Sequence, residues 1–159
     1  MDSGQHADRQ SPGALRTFLG LLVMVAFVLG LSWFLRTFLL QAYEIPSGSM
    51  EETIMTGDMV FAEKVSYRFR DPEPGDIVTF QDPEIPGRIL IKRCIAVGGQ
   101  TVDINDEDGL VYVDGEPLAE PYTDGKPSYR LASDVTYPYT VPEGHVWVMG
   151  DNRTNSQDS

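Results

Sequence analysis

Residues 88–97, Arg-Ile-Leu-Ile-Lys-Arg-Cys-Ile-Ala-Val, form the longest candidate strand of the chain, and Gly98 and Gly99 close it. A short apolar run that is rich in β-branched residues and bounded by glycine predicts a β-strand. Similar runs, separated by Gly, Pro, Asp and Asn, occur on both sides of it. We therefore expect the larger part of the chain to be a mostly β domain with antiparallel strands.

The other strands are predicted at residues 59–62, 76–80, 110–113, 116–118 and 145–149. Asp114-Gly115, between two of these runs, favours a type I′ turn and hence a β-hairpin. Residues 121–142 are rich in Tyr, Ser, Asp and Pro, which predicts a long surface loop. The expected fold class is an antiparallel, barrel-like β-sheet domain behind one N-terminal transmembrane helix.

That helix is predicted from residues 18–35, eighteen residues without a charge. As a helix they span roughly 27 Å, close to the hydrocarbon thickness of a bilayer. A cleavable signal peptide is the alternative, but its apolar core is usually shorter, and no small-x-small cleavage site follows this run. Arg9 and Arg16 precede the run and Arg36 follows it, which favours a cytoplasmic N-terminus. We expect a disordered cytoplasmic tail at 1–13, an anchor at 14–40 and an extracytoplasmic domain at 41–159.

Composition excludes several classes of function. The net charge of −12 disfavours nucleic-acid binding, which needs a basic face, and docking on anionic lipid by charge. Cys94 is the single cysteine, so no intrachain disulfide can form, and its apolar surroundings predict a buried, inert thiol. With only His6 and His145 in the chain, a histidine metal site has no support. The acidic residues 103–108 lack the ligand spacing of an EF-hand calcium loop.

Ser49 is the candidate nucleophile. It lies in residues 46–50, Pro-Ser-Gly-Ser-Met, shortly after the predicted anchor. A serine hydroxyl needs a base, and a lysine can serve only where desolvation lowers its pKa from about 10.4. Lys92 lies in the longest apolar strand, whereas Lys64 follows a glutamate and Lys126 lies in a Gly-Pro loop. Composition alone leaves open that Lys92 is exposed on the polar face of an edge strand.

Five motifs together resemble bacterial type I signal peptidases, the Ser/Lys-dyad family of leader peptidases. They follow an N-terminal anchor in the order of that family and extend to the end of the chain. The combination of Ser-Gly-Ser-Met with Gly-Asp-Asn-Arg is highly specific. The motifs are residues 46–50, 56–58 (Thr-Gly-Asp), 74–78 (Pro-Gly-Asp-Ile-Val), 91–93 (Ile-Lys-Arg) and 150–159 (Gly-Asp-Asn-Arg-Thr-Asn-Ser-Gln-Asp-Ser).

The resemblance implies a role for each matching residue. Ser49 would be the nucleophile, Lys92 the general base, and Ser47 a hydroxyl donor to the oxyanion hole. Ser156 would orient the Lys92 amine, and an ion pair between Asp151 and Arg93 would fix the strand that carries Lys92. The walls of the pockets for small residues at −1 and −3 of the substrate would be Tyr43, Ile45, Ile54 and Ile91.

The implied activity is cleavage of signal peptides from exported preproteins after an Ala-x-Ala site, without metal or cofactor. The implied location is the plasma membrane, with a single pass and a cytoplasmic N-terminus. Signal peptides and the phospholipid membrane would be the partners, with the Sec translocon as a functional neighbour and no nucleic acid.

This chain departs from the family pattern in three places, one of which is residues 98–102, Gly-Gly-Gln-Thr-Val, in place of a more common Gly-Asp turn. Glu52 stands where the family has a proline after the nucleophile, and the family continues beyond Ser159 with a closing strand. We therefore expect the C-terminal strand to be missing. Two alternatives stay open: a Ser/Lys protease with one dedicated substrate, and an inactive membrane-tethered β-domain that binds exported peptides without cutting them.

Overall fold

A computed structural model describes residues 12–130 and 135–156, which fall into two compact units, residues 1–41 and 42–159. The first unit is helix α1, Pro12–Phe34, followed by a π-helical turn, Leu35–Leu39. Residues Gly13–Leu39 are long and apolar enough to cross a bilayer, and none of the window is buried against protein. This helix fits a membrane anchor. The tail expected at 1–13 lies almost wholly outside the described residues.

The described residues of the chain contain nine strands in three sheets. The sheet orders are β1-β2, β3-β4-β9 and β7-β6-β5-β8, and every pairing in the two larger sheets is antiparallel. The strands are β1 Leu40–Glu44, β2 Met59–Glu63, β3 Ile77–Gln81, β4 Ile89–Val97, β5 Thr101–Ile104, β6 Val111–Val113, β7 Glu116–Pro117, β8 Tyr139–Thr140 and β9 Val146–Met149.

Strand β4 is the centre of the three-stranded sheet. Val78 of β3 pairs with Lys92 on one side, and Met149 of β9 pairs with Arg93 on the other. The register with β9 shifts between Cys94 and Ala96. This irregularity interrupts the alternation of faces, so that Cys94, Ile95 and Ala96 are all buried.

The hydrophobic core joins the end of β4 and strand β9 to the four-stranded sheet. It packs apolar side chains that are almost fully excluded from solvent: Ile95, Ala96, Val102, Ile104, Val111, Val141, Trp147 and Met149. In the hairpin of β6 and β7, Asp114 and Gly115 have φ values of 54° and 84°, as a type I′ turn requires.

The prediction of a mostly antiparallel β domain behind one apolar helix is confirmed. Every predicted strand is present within one or two residues at its ends. Strands β1, β5 and β8 were not predicted, because each is short and carries too few alternating apolar residues. The prediction of a surface loop at 121–142 was wrong for part of that range, since Thr123, Ser128 and Val141 are buried.

Candidate active site

A single 3₁₀ turn, Gly48–Met50, presents Ser49. Ser47 precedes it in an extended conformation, and its side chain is exposed. Met50 ends the turn with a fully buried side chain, which anchors the turn to the domain interior. A Cβ added to Gly48 would lie 2.8 Å from the Glu51 carboxyl group, so that a larger residue there would require the Glu51 side chain to move.

Asn152 fixes this turn from the C-terminal part of the chain. Its backbone N–H donates to the Ser49 carbonyl oxygen at 3.0 Å, and its Nδ2 donates to the Gly48 carbonyl oxygen at 2.9 Å. Two hydrogen bonds from one residue, about a hundred positions away, therefore set the position of the Ser49 backbone. The same turn also packs against β4 and against the 3₁₀ turn Arg153–Asn155.

The Lys92 side chain points into the protein and is 5% exposed. Its Nζ donates a hydrogen bond to Ser156 Oγ. The alternative of a solvent-exposed lysine on an edge strand does not hold, because β4 is the central strand of its sheet.

Gly150 brings the two serines together. A Cβ at this position would collide with both the Ser156 side chain and the Ser49 carbonyl oxygen. Both groups therefore lie directly against the Gly150 α-carbon, and only glycine leaves them enough space. The Ser156 side chain therefore contacts the Lys92 amine and packs against the same glycine as the Ser49 carbonyl oxygen.

An ion pair supports the strand next to Lys92. Arg93 donates from Nε to Asp151 Oδ1 at 2.8 Å and from Nη2 to Asp151 Oδ2 at 2.7 Å, and the Asp151 side chain is fully buried. The hydrogen bond to Asp151 raises the pKa of Arg93 above its ordinary value. Thr53 Oγ1 donates to Asp151 Oδ2, and Arg93 Nη1 donates to the Gly75 carbonyl oxygen at 2.9 Å. The ion pair thus joins β4, the loop after Ser49 and the segment at 150–152.

An open groove of about 610 Å³ lies in the second unit. Side chains of β2, β3 and β4 line it, and most of its wall is apolar. Of the residues predicted to bind substrate, Tyr43, Ile54 and Ile91 line the groove. Ile45 does not line it; its side chain is 3% exposed and belongs to the domain interior.

The remaining candidates take no part in this arrangement. Burial raises the pKa of the Cys94 thiol to about 11, which keeps it protonated and inert. His145 is exposed, with Nδ1 3.1 Å from the Glu143 carbonyl oxygen. Within residues 12–130 and 135–156 there is no group of three His, Cys, Asp or Glu side chains that could hold a metal ion.

Sequence reasoning missed four residues of this region: Thr53, Tyr122, Asn152 and Arg153. Asn152 and Arg153 stand inside a motif that was recognised, so their positions were visible but their contacts were not. Tyr122 and Thr53 had no local signal, since each acts through a partner that is distant along the chain.

Comparison with known proteins shows the family of the chain. The model of the family "Signal peptidase, peptidase S26" matches residues 17–159. A Synechocystis sp. protein named "Probable signal peptidase I-1" is 47% identical over 145 residues, covering 87% of this chain and 69% of that protein. The signal peptidase I of Mycobacterium tuberculosis is 36% identical over 195 aligned positions, covering 96% of this chain and 65% of that protein.

A crystal structure of a signal peptidase I from Enterococcus faecalis V583 is 32% identical, with a TM-score of 0.44, over 57% of this chain and 85% of that one. The chain spans about two thirds of the length of the cyanobacterial and mycobacterial relatives. The family match over residues 17–159 and the identity to these relatives lead to one conclusion: the chain belongs to the signal peptidase family, peptidase S26, a family of serine peptidases.

Proposed function

We propose that this chain is a membrane-anchored serine endopeptidase that removes N-terminal signal peptides from exported preproteins. The observation that carries the proposal is the hydrogen bond from Lys92 Nζ to Ser156 Oγ, with Ser156 and the Ser49 carbonyl oxygen packed against the same glycine. The buried Lys92 amine and the turn that presents Ser49 are thus linked through Ser156 and Gly150. Family membership and the names of the relatives support the same activity.

In the proposed reaction, Ser49 Oγ attacks the carbonyl carbon of the scissile peptide bond while the neutral Lys92 amine accepts its proton. Ser156 orients that amine through the hydrogen bond at Nζ. The Ser47 hydroxyl and the Ser49 backbone N–H donate hydrogen bonds to the oxygen on which negative charge develops; one such donor is worth about 3–4 kcal/mol. Lys92 then protonates the leaving amine, which leaves an acyl group on Ser49. Water, deprotonated by Lys92, hydrolyses this ester.

The groove fits the proposed preference for Ala-x-Ala sites. Tyr43, Ile54 and Ile91 give it bulky apolar walls, which leave space for small side chains at the −1 and −3 positions of the substrate. The Ala-x-Ala preference is part of this proposal. So is the division of the chain into a tail (1–13), an anchor (14–40) and a catalytic domain (41–159).

We further propose that α1 crosses the plasma membrane once, with the N-terminus cytoplasmic and the β domain on the outer side. Preproteins that leave the Sec translocon present their cleavage sites at that surface, so the translocon would be a functional neighbour. The anchor would keep the groove close to the bilayer, from which the apolar core of a signal peptide emerges.

The test is cleavage of a preprotein with an Ala-x-Ala site by the full chain in detergent. Ser49→Ala and Lys92→Ala should each lower kcat by at least about a thousandfold, because dyad members act as a unit. Ser66→Ala is the control for Ser49→Ala and should leave kcat within twofold.

The same assay tests the substrate preference. Under the proposed Ala-x-Ala preference, a preprotein with leucine in place of alanine at −1 should be cut poorly. If the unchanged chain binds the preprotein but never cuts it, the peptidase proposal fails and a peptide-binding role replaces it. Activity that survives in Ser49→Ala would equally reject the proposed nucleophile.

A further inference from the structure

The segment between β7 and β8 contacts two arginines that flank the proposed active site. One is Arg93, next to Lys92 on β4, and the other is Arg153, three positions before Ser156. The contacts come from residues 120–128, here called the bridging segment. No motif of the sequence pointed to this segment, and the proposed mechanism does not use it.

Arg153 is held by the bridging segment through a buried ion pair. The exposed fractions of the Arg153 and Glu120 side chains are 1% and 9%. Arg153 donates from Nη1 to Glu120 Oε2 at 2.9 Å and to Ser128 Oγ at 2.6 Å, and from Nη2 to Glu120 Oε1. Its Nε donates to the Gly150 carbonyl oxygen at 2.9 Å. Arg153 thus connects Glu120 directly to the glycine against which Ser49 and Ser156 pack.

Tyr122 connects the same glutamate to Arg93. The Arg93 guanidinium carbon lies 4.0 Å from the centre of the Tyr122 ring, the geometry of a cation–π contact. The Tyr122 hydroxyl donates to Glu120 Oε1 at 2.9 Å. Burial, followed by the nearby Glu120 charge, raises the pKa of Tyr122, which keeps the phenol protonated as a donor.

These contacts form one continuous path from Arg93 through Tyr122, Glu120 and Arg153 to Gly150. Lys92 lies at one end of the path, as the neighbour of Arg93, and Ser156 lies at the other, against Gly150. We propose that Tyr122 and Glu120 are positioning residues, which hold β4 and the 150–156 segment in the register that lets Lys92 Nζ reach Ser156 Oγ. The expected effect on catalysis rests on the proposed function, whereas the contacts that hold β4 and the 150–156 segment do not depend on it.

A purely stabilising role would not require this arrangement. A buried ion pair contributes little net stability, because desolvation offsets the attraction between the charges. Its effect is to fix the position of β4 relative to residues 150–156. Small displacements of a catalytic group lower the reaction rate strongly. The bridging segment should therefore affect kcat more than KM, since none of its contacts involves the groove.

The kinetic test compares two tyrosines in the full chain. Tyr122→Phe keeps the ring on Arg93 but removes the hydroxyl that donates a hydrogen bond to Glu120. This variant should lower kcat about three- to tenfold and leave KM within twofold of the unchanged chain. Tyr122→Leu removes the ring as well and should lower kcat further. Tyr112→Phe is the matched control, because Tyr112 also donates to a carboxylate, Asp108 Oδ2 at 2.8 Å, outside the site. Its kcat should not change.

Glu120→Gln tests the middle of the path, where Glu120 contacts both Tyr122 and Arg153, and Glu116→Gln, on the exposed strand β7, is its control. If Glu120→Gln does not fold, Tyr122→Phe still decides the question. The proposal is overturned if both Tyr122 variants keep kcat within twofold of the unchanged chain. A rise in KM alone would overturn it too, since that result would assign Tyr122 to substrate binding.

A second readout does not depend on cleavage. The chain has three lysines, and Lys92 is the buried one among Lys64, Lys92 and Lys126. Reductive methylation, followed by mass spectrometry of the peptides, should modify Lys92 slowly relative to the other two. Tyr122→Leu should increase the Lys92 rate at least about threefold without changing the Lys64 rate, whereas Tyr112→Phe should change neither. An unaltered Lys92 rate in Tyr122→Leu overturns the inference.

The two experiments separate the inference from the proposed function. If the unchanged chain does not cleave the preprotein, the proposed function fails, while the methylation result still decides whether the bridging segment positions Lys92. If the chain cleaves and the Tyr122 variants match it in both assays, the proposed function stands and the inference fails.

Discussion

Single residues in this protein matter most where two distant parts of the chain touch. Gly150 is the clearest case, because the Ser49 carbonyl oxygen and the Ser156 side chain both occupy the space that a Cβ would need. Lys92 is another, since its burial and its hydrogen bond to Ser156 join residues that are 64 positions apart. At such positions, the local geometry depends on contacts between parts of the chain that are far apart in sequence.

Gly150→Ala should therefore damage both activity and folding. The added methyl group must push Ser49 or Ser156 away from the other, and displacement of that kind lowers kcat by about a hundredfold. Overpacking should cost about 1–3 kcal/mol of the free energy of unfolding. Both quantities can be measured on the full chain in detergent, by preprotein cleavage and by thermal unfolding.

Gly20→Ala is the control for that substitution, because a Cβ at Gly20 has no atom within 4 Å and lies on the exposed surface of α1. It should leave kcat and the unfolding temperature unchanged. If Gly150→Ala behaves in the same way, the close packing around Gly150 does not determine the position of the two serines.

At the scale of elements, β4 organises the site because it presents different residues on its two faces. Lys92 points inward towards Ser156, and its neighbour Arg93 reaches Asp151 and Tyr122. The sequence predicted the strand, and the irregularity after Cys94 explains why two consecutive residues, Ile95 and Ala96, are both buried in the core. That irregularity has no marker in the sequence.

A second element, the connection from β2 to β3, depends on one carboxylate. Asp76 accepts hydrogen bonds from Arg70 Nη1 at 2.7 Å, from the Tyr67 hydroxyl at 3.1 Å and from the Glu73 N–H at 3.1 Å. The Arg70 hydrogen bond, followed by that of Glu73, lowers the pKa of Asp76 from 3.8 to about 2. The charged form is therefore favoured in the folded state.

The stabilisation from Asp76 should be present above its unfolded pKa, near 3.8, and should be lost as the pH falls towards 2. Asp76→Asn should reduce the loss of stability between pH 5 and pH 2.5. The two proteins should differ by less than about 1 kcal/mol in this loss of stability, because solvent screens the exposed ion pair between Asp76 and Arg70. Urea unfolding at the two pH values measures it, with Glu116→Gln as the control. An acid dependence identical to that of the unchanged chain would refute the assignment.

At the scale of the whole molecule, an apolar helix and an acidic β domain are joined in one chain with a net charge of −12. In the described residues of the first unit, 12–41, the apolar side chains of the helix are exposed along its length. Such a surface is unstable in water, so the chain should fractionate with membranes and resist extraction at alkaline pH.

The proposed topology gives a sharper prediction. A cysteine introduced at Glu116, on an exposed strand, should react in intact cells with a maleimide that cannot cross the membrane, whereas one at Ser3 should react only after the cells are opened. The native Cys94 should not interfere, because it is buried. Labelling of the Ser3→Cys variant in intact cells would contradict the proposed topology and indicate the opposite orientation.

The sequence by itself determined the apolar helix, the order of most strands and the motifs that contain Ser49, Lys92 and Ser156. These are local properties, since hydrophobic periodicity, turn residues and motif spacing are each read from neighbouring positions. Strand β8, only two residues long, could not be found in this way because pairing with β5 defines it.

The tertiary structure decided the rest, because it depends on contacts between residues that are far apart in the chain. It turned Lys92 inward when composition allowed an exposed edge position, and it placed Ile45 in the interior instead of the groove. It also brought Tyr122 and Glu120 between two arginines. Neither residue carries a local pattern, since the role of each comes entirely from the charges that folding places beside it.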